Sequence, residues 1–474
     1  MSGPASLLLD VGGQSVFGQV LNARAKCCCQ TRRKISTCET NERVEQDPDE
    51  IVAAVQAVME AALGKVEQSG GPTVTQAALA VQRGSIVCWD RKTGAALSPV
   101  LSWRDRRSLP GLAHLAEQAE DIRRRTGLRF SPYAGAPKLA WCLSELPEVQ
   151  SAAKSRRLVC GPLGSFLLAR LLENKPARVD HTLAQRSLLW SRASFSWDPW
   201  LLDRFGLPAD TLPDLVPGRS PHGRLKTRRQ TLELNLLIGD QNSLPFIDGR
   251  PGIDTLYVNL GTGAFLLRPV TRPTFEEPRF QTTLLGDGDE KLWALEASVH
   301  GAASALNWLK RKHDVDLPHE QWHRLRQNVS DPPLFLNTID GLGSPWWRPG
   351  PQPAFVAADE GATPRPEALL LAVLESIAFL IRANVDAMAE TTDRPRRVLI
   401  CGGLSQSDTV CRLVADLLGT DVQRLRAVEG TALGLWSRLH NQAPTSNAFD
   451  RVRFEDAPAL RQRYRQWLKH MDTD

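Results

Sequence analysis

Two stretches of the chain follow one pattern, and their separation constrains the architecture more than any other feature. Leu8-Leu9-Asp10-Val11-Gly12-Gly13-Gln14-Ser15-Val16-Phe17 and Tyr257-Val258-Asn259-Leu260-Gly261-Thr262-Gly263-Ala264-Phe265-Leu266 each read as an apolar strand, a tight polar turn and a second strand. Glycine in such a turn accepts positive φ and removes the Cβ that would keep backbone N–H groups away from an anion. Taken alone, either stretch is also an ordinary tight hairpin. One copy opens the chain and the other begins just past its midpoint, so the simplest architecture is a duplicated domain with a nucleotide held between the halves.

Length and composition fit that frame. The chain has 474 residues, 42% hydrophobic and 23% charged, which is material for two cores, since single cores seldom grow beyond ~250–300 residues. Its net charge of +5 comes from 58 basic and 53 acidic residues scattered along the sequence. That is not the clustered positive footprint of a nucleic-acid binder. The densest basic run, Arg123-Arg124-Arg125 with Arg129, reads as a solvated helix face. No basic region, apolar run and small-residue cleavage site stand in series before the Asp10 strand. No apolar run of ~18 residues suggests a membrane span. The expected compartment is the cytoplasm, with neither nucleic acid nor membrane as partner. Nine cysteines, Cys27-Cys28-Cys29 among them, show no CxxC pair and no Cys/His ligand spacing, so they read as reduced structural thiols.

Strands and helices alternate along the rest of the chain. A strand is expected from Ala25 to Ser36, and Asp47-Pro48-Asp49-Glu50 then starts an amphipathic helix through Leu63, with Pro and carboxylates in its first turn. Thr75 to Gln82 reads as a strand, Arg157 to Leu172 as an apolar helix, and Leu207 to Pro213 as a loop. Leu232 to Ile238 is an apolar run ending in Gly239-Asp240-Gln241, which puts a carboxylate at a strand's C-terminal end, where α/β sheets bind ligands. The second half repeats the plan: hairpin 256–267, helices 296–310 and 366–390, strand Arg397 to Ile400, then Cys401-Gly402-Gly403-Leu404-Ser405 and a helix. That glycine pair either offers a helix N-terminus to a nucleotide or packs helix against strand.

With these residues in view, the chain resembles the FGGY carbohydrate kinases almost end to end, and is nearest to the glycerol kinases among them. The resemblance rests on Val44-Glu45-Gln46-Asp47-Pro48, Gln82-Arg83, Trp89-Asp90-Arg91-Lys92-Thr93-Gly94 and Ser102-Trp103-Arg104-Asp105-Arg106-Arg107. It continues through Thr126-Gly127-Leu128, Tyr133, Lys138-Leu139-Ala140-Trp141, Gly239-Asp240-Gln241, Gly261-Thr262-Gly263, Gly341-Leu342-Gly343, Glu375-Ser376-Ile377-Ala378-Phe379 and Gly402-Gly403. Each match is weak alone, but their shared order and spacing are specific. The resemblance implies an α/β fold of two ribonuclease-H-like domains, of the actin and hexokinase type, around a nucleotide cleft. Residues 1–247 would form an N-terminal domain with the sugar or polyol site and the phosphate hairpin. Residues 248–474 would form a C-terminal domain with the ATP site. A homodimer or homotetramer is the assembly it implies.

The implied activity is ATP-dependent phosphorylation of a hydroxyl on a small sugar or polyol. A hydroxyl is a poor nucleophile, so the reaction needs a carboxylate to take its proton, a divalent ion on the phosphates and donors that keep the oxygens in line. By resemblance Asp240 is the general base and Asp10 the carboxylate associated with Mg²⁺, an ion that keeps several waters and needs few carboxylates. The acceptor would meet Arg83, Trp103, Tyr133, Asp240, Gln241 and Phe265, aromatic faces on its carbons and polar groups on its hydroxyls. ATP would meet Gly12, Gly13, Gln14 and Ser15, then Gly261, Thr262, Gly263 and Asn307, with Gly402, Gly403 and Ser407 beside the adenosine.

Departures from the family pattern bear on the substrate and on the rate. Glycerol kinases follow the Gln-Arg pair with Glu, whereas this chain has Gly84. Losing that carboxylate points to a bulkier or differently substituted acceptor than glycerol. The first hairpin lacks two threonines and an arginine that the family has, reading Gly13, Gln14 and Phe17 in their place. Gly135 and Ala303 are smaller departures. An alternative is therefore a weakened homologue that binds nucleotide or sugar as a sensor.

Overall fold

The computed structural model describes residues 4–273, 277–288, 291–356, 364–426, 430–445 and 448–472. The opening apolar run forms β1 (Ala5–Val11), buried along nearly its whole length because both of its edges are paired. β2 (Ser15–Leu21) and β3 (Cys27–Lys34) continue it as an antiparallel meander. Asp47 caps α1 (Pro48–Gln68), its carboxylate accepting from the amides of Asp49 and Glu50 at 2.8 and 3.3 Å. The helix runs past Leu63 because Val66 is still buried. It lies on one face of the meander, where the Thr31 hydroxyl donates to the Val58 carbonyl at 3.3 Å.

β4 (Val74–Val81) returns parallel to β1. After α2 (Gly135–Glu145), the chain forms β5 (Gly223–Lys226) and β6 (Thr231–Gly239), the latter parallel to β4. The sheet order is β5-β6-β4-β1-β2-β3. The stretch from Arg157 to Leu172 is not one helix: Leu158–Pro162 pairs antiparallel with Ile86–Asp90, and the helix covers only Leu163–Leu171. Pairing with a distant strand overrides the local apolar run, and Pro162 ends the ladder where the helix begins.

The second sheet is built to the same plan from β7 (Thr255–Leu260), β8 (Ala264–Val270), β9 (Gln281–Asp287) and β10 (Lys291–Val299). The helix expected over 296–310 is shorter: Glu296 to Val299 belong to β10, and α3 (Ala303–His313) starts beyond Gly301. α4 (Pro366–Met388) is the core helix, followed by β11 (Arg397–Cys401), α5 (Asp408–Leu418), β12 (Val422–Leu425) and β13 (Phe449–Val452). The order is β9-β10-β8-β7-β11-β12-β13, again a hairpin extended by parallel neighbours.

α4 is long and apolar enough to cross a membrane by length and composition, which corrects the sequence reading that no such run exists. It is a buried core helix instead, with 94% of its most apolar window inside the protein. Its two interrupting charges are paired, Glu375 with Arg463 at 2.7 Å and Arg382 with Asp386 at 2.8 Å.

Two compact units result. The first comprises Met1–Pro251, Thr282–Trp293 and Thr431–Ser446, and the second Gly252–Gln281, Ala294–Gly430 and Asn447–Asp474. Within the first unit, Gln185 holds the returning segment, donating to the Thr282 carbonyl at 2.8 Å and accepting from the Leu284 amide at 2.9 Å.

Candidate functional site

Three adjacent parallel strands of the first unit end level with one another. Val11 on β1 is in register with Val81 on β4, and Val81 with Gly239 on β6. Asp10 and Gly12, Gln82 and Arg83, and Asp240 and Gln241 therefore gather at one edge of the sheet. The carboxyl ends of parallel strands are where such sheets leave room for ligands.

Asp240 is held from several sides. Its Oδ1 accepts from the Gln241 amide at 2.8 Å and lies 3.8 Å from Arg83 Nε, and its Oδ2 accepts from Gln241 Nε2 at 3.4 Å. Thr182 Oγ1 accepts from the Gly239 amide at 2.9 Å while donating to Asp180, fixing the backbone that delivers the carboxylate. Asn242 donates to the Leu284 carbonyl at 2.6 Å. The Asp240 side chain is 21% exposed and that of Arg83 8%, so the carboxylate is reachable while its partner is buried. Burial raises the Asp240 pKa above the ordinary carboxylate value, against the opposing pull of Arg83, the Gln241 hydrogen bonds and Arg186.

Trp103 and Tyr133, at 40% and 43% exposure, are among the few large apolar side chains left open. Core aromatics would be covered, so both are available to a ligand. Between them lies Gly84, at φ +75°, where a Cβ would stand 3.1 Å from the Tyr133 carbonyl oxygen and 3.4 Å from Trp103 Cβ. A glutamate there is strained both by φ and by space.

The segments carrying these residues meet at Lys138, on α2. Its buried ammonium donates to the carbonyls of Gly84 at 2.7 Å, Ser102 at 2.9 Å and Tyr133 at 3.1 Å. Three donors thus meet three acceptors. Burial pulls its pKa down to about 7, against the opposite pull of Asp105 and Cys142 and with a further downward push from Arg107. Lys138 stands in a motif the sequence displays, but its role emerges only when three distant carbonyls converge.

The first hairpin turn is positioned by a side-chain relay. Gln82 Nε2 donates to Gln46 Oε1 at 2.8 Å, and Gln46 Nε2 donates to the Gly13 carbonyl at 2.9 Å. Gln14 is exposed, and its carbonyl accepts from the Ile35 amide at 3.1 Å. The Gly12 amide donates to the Ser15 carbonyl at 3.1 Å. None of Gly12, Gly13, Gly261 and Gly263 takes positive φ, contrary to the sequence expectation. A Cβ at Gly12, Gly13 or Gly261 would meet protein atoms only at ordinary distances, the nearest 3.4 Å away. Neither backbone angle nor space in the fold requires glycine at these three positions.

In the second unit, the turn Gly261-Thr262-Gly263 supports the start of α3. The Gly261 carbonyl accepts from the Ala303 amide at 3.2 Å, and the Thr262 carbonyl from the Ser304 amide at 3.0 Å. Gly263 is fixed by close approach, since a Cβ would fall 2.6 Å from the Val299 carbonyl oxygen. Gly402 has φ +93° and abuts the Leu260 carbonyl, whereas a Cβ on Gly403 would meet no protein atom within 4 Å. Asn307 is exposed on α3, and Phe265 sits opposite Asn259 in the hairpin. Ser407 is buried and caps α5, accepting from the Val410 amide at 3.4 Å. Among the described residues no cluster of three His, Cys, Asp or Glu side chains forms a metal cage.

The fold thus duplicates a sheet with a hairpin in each copy and sets a reachable carboxylate at a parallel-strand end, the place where such sheets bind ligands. The model of the N-terminal domain of the FGGY family of carbohydrate kinases matches residues 5–248, and that of its C-terminal domain matches residues 256–436. The chain is 32% identical to the glycerol kinase of Thermus brockianus over 410 residues, covering 83% of this chain and 81% of that one. The chain belongs to the FGGY family of carbohydrate kinases. Two solved structures share its fold: the glycerol kinase of Plasmodium falciparum with ADP, at TM-score 0.86, 20% identity and full coverage of both chains, and the xylulose kinase of Rhodospirillum rubrum, at TM-score 0.84, 19% identity and coverage of 98% and 97%.

Proposed function

We propose that the protein transfers the γ-phosphoryl group of ATP to a hydroxyl of a sugar or polyol larger than glycerol, with Asp240 as general base. The observation that carries this reading is the placement of Asp240: reachable, raised in pKa by burial, and steadied by Arg83 and Gln241 at the end of β6. A carboxylate so tuned holds a proton better than an ordinary aspartate, which is what a general base needs. Arg83 and Gln241 bond the acceptor hydroxyls, and Trp103 and Tyr133 cover its carbons. Gly84 brings no side chain to the acceptor, and its φ and the nearby Tyr133 carbonyl disfavour one.

Gly13, Gln14 and Ser15 offer amides to the phosphates, as do Thr262 and Gly263, with Gly12 and Gly261 closing the two turns through their own amides, while Asn307, Gly402, Gly403 and Ser407 serve the nucleoside. Residues 1–247 thus carry the acceptor site and phosphate hairpin, and residues 248–474 the nucleotide site. Asp10 would hold Mg²⁺, which when bound neutralises charge on the phosphate oxygens.

The test is ADP release from ATP across glycerol, longer polyols, ketoses and aldoses, with Asp240→Asn as control. Acceptor-dependent release that disappears in the variant is expected. Release that persists in Asp240→Asn would remove Asp240 from the role of base.

A further inference from the structure

The rung of the first hairpin that carries Asp10 extends onto a third strand. Asp10 on β1 lies opposite Phe17 on β2, and Phe17 lies opposite Arg32 on β3. Residues directly opposite in antiparallel strands project from the same face, so the carboxylate, the ring and the guanidinium form one row. Arg32 Cζ lies 5.2 Å from the centroid of the Phe17 ring. The ring is buried and the arginine exposed, so aromatic contact orders the cation without removing it from solvent. Thr31, the preceding residue, faces α1 on the other side of the sheet. Arg32 therefore lies on the face of Asp10 rather than under the helix.

We propose that Arg32 is a further catalytic residue, a guanidinium laid over Phe17 that neutralises charge on the phosphoryl group in transfer beside Asp10. The inference rests on the reading of this hairpin as the phosphate site. In the transfer, the acceptor oxygen bonds to the γ-phosphorus, the bond from that phosphorus to the bridging oxygen of ADP breaks, and Asp240 takes the acceptor's proton. Negative charge spreads over the oxygens of the group in flight, and a planar guanidinium fork matches two of them at once. The row explains how a hairpin with Phe17, which bears no charge itself, keeps a cation within reach of its turn.

Arg32→Gln is the test, with Arg33→Gln as control, since Arg33 is opposite Val16 and projects from the α1 side. Turnover of Arg32→Gln should fall ~100-fold with the acceptor KM unchanged. The double variant Phe17→Arg with Arg32→Gln should recover at least ~10-fold of that loss, because the charge returns one strand away. A second readout needs no acceptor: affinity for the imido analogue of ATP should drop ~10-fold in Arg32→Gln while affinity for ADP holds. Arg33→Gln should change neither. Unchanged turnover, or equal loss for analogue and ADP, would overturn the proposal. If the unaltered protein phosphorylates no acceptor, the kinase reading fails, while the ratio of analogue to ADP affinity still decides the role of Arg32.

Discussion

The two hairpins share a rung and differ in its chemistry. In the first, Asp10 faces Phe17; in the second, Asn259 faces Phe265. The first places four residues between Val11 and Val16, the second three between Leu260 and Ala264. The carbonyls of the second turn accept from the first amides of α3, whereas the Gly13 carbonyl of the first is held by Gln46. A duplicated element has thus been specialised in two directions. One copy keeps a carboxylate and has a cation on its neighbouring strand; the other is neutral and serves as the seat of a helix.

Making the first rung like the second is the most severe way to test this division. Asp10→Asn should lower turnover ~1,000-fold and weaken its dependence on Mg²⁺, as a carboxylate contact to the ion becomes an amide. Asn259→Asp should give no gain in rate. A steady-state titration with Mg²⁺ checks both, and equal effects from the two variants would break the comparison.

The glycines distinguish the copies next. Gly263→Ala forces a Cβ against the Val299 carbonyl and should cost about 1–3 kcal/mol of stability by denaturant unfolding. Gly12→Ala should unfold like the unaltered protein yet bind ADP ~10-fold more weakly, because the added methyl occupies the approach to the turn amides.

Lys138→Met tests whether the acceptor wall is assembled separately from the phosphate turn. With three carbonyls left without their donor, acceptor KM should rise ~10-fold while ATP KM stays within ~2-fold. A parallel rise in both would tie the wall to the hairpin.

The smallest effect expected is a shift in the acid limb of the pH profile. Asp240 accepts a proton only when ionised, so kcat/KM should fall as pH drops through its raised pKa, at a pH above that of an ordinary aspartate. Arg83→Met removes a positive charge that favours the ionised form, so the limb should move to higher pH. Asn259→Asp should leave it in place.

Features that depend on neighbours in the chain were legible in the sequence. Both hairpins declare themselves by apolar runs around a polar turn, α1 by Asp47-Pro48, and Asp240 by a strand ending in glycine. What escaped depends on pairing. Leu158 to Pro162 is an apolar run that suits helix or strand equally, and a partner far away in sequence, Ile86–Asp90, decided between them, while Glu296 to Val299 continue β10 between β9 and β8. The roles of Lys138, Gln46 and Thr182 arise from groups that converge only on folding. Arg32 looks like one more surface cation until the register sets it opposite Phe17.

Phosphorus NMR of a reaction containing ATP, Mg²⁺ and the acceptor panel tests the central claim most directly, because it follows the phosphoryl group itself. The account predicts a phosphomonoester resonance growing with ADP in equal amounts, present only with an acceptor and absent in Asp240→Asn. ATP that remains intact with every acceptor, or that yields only inorganic phosphate, would contradict it.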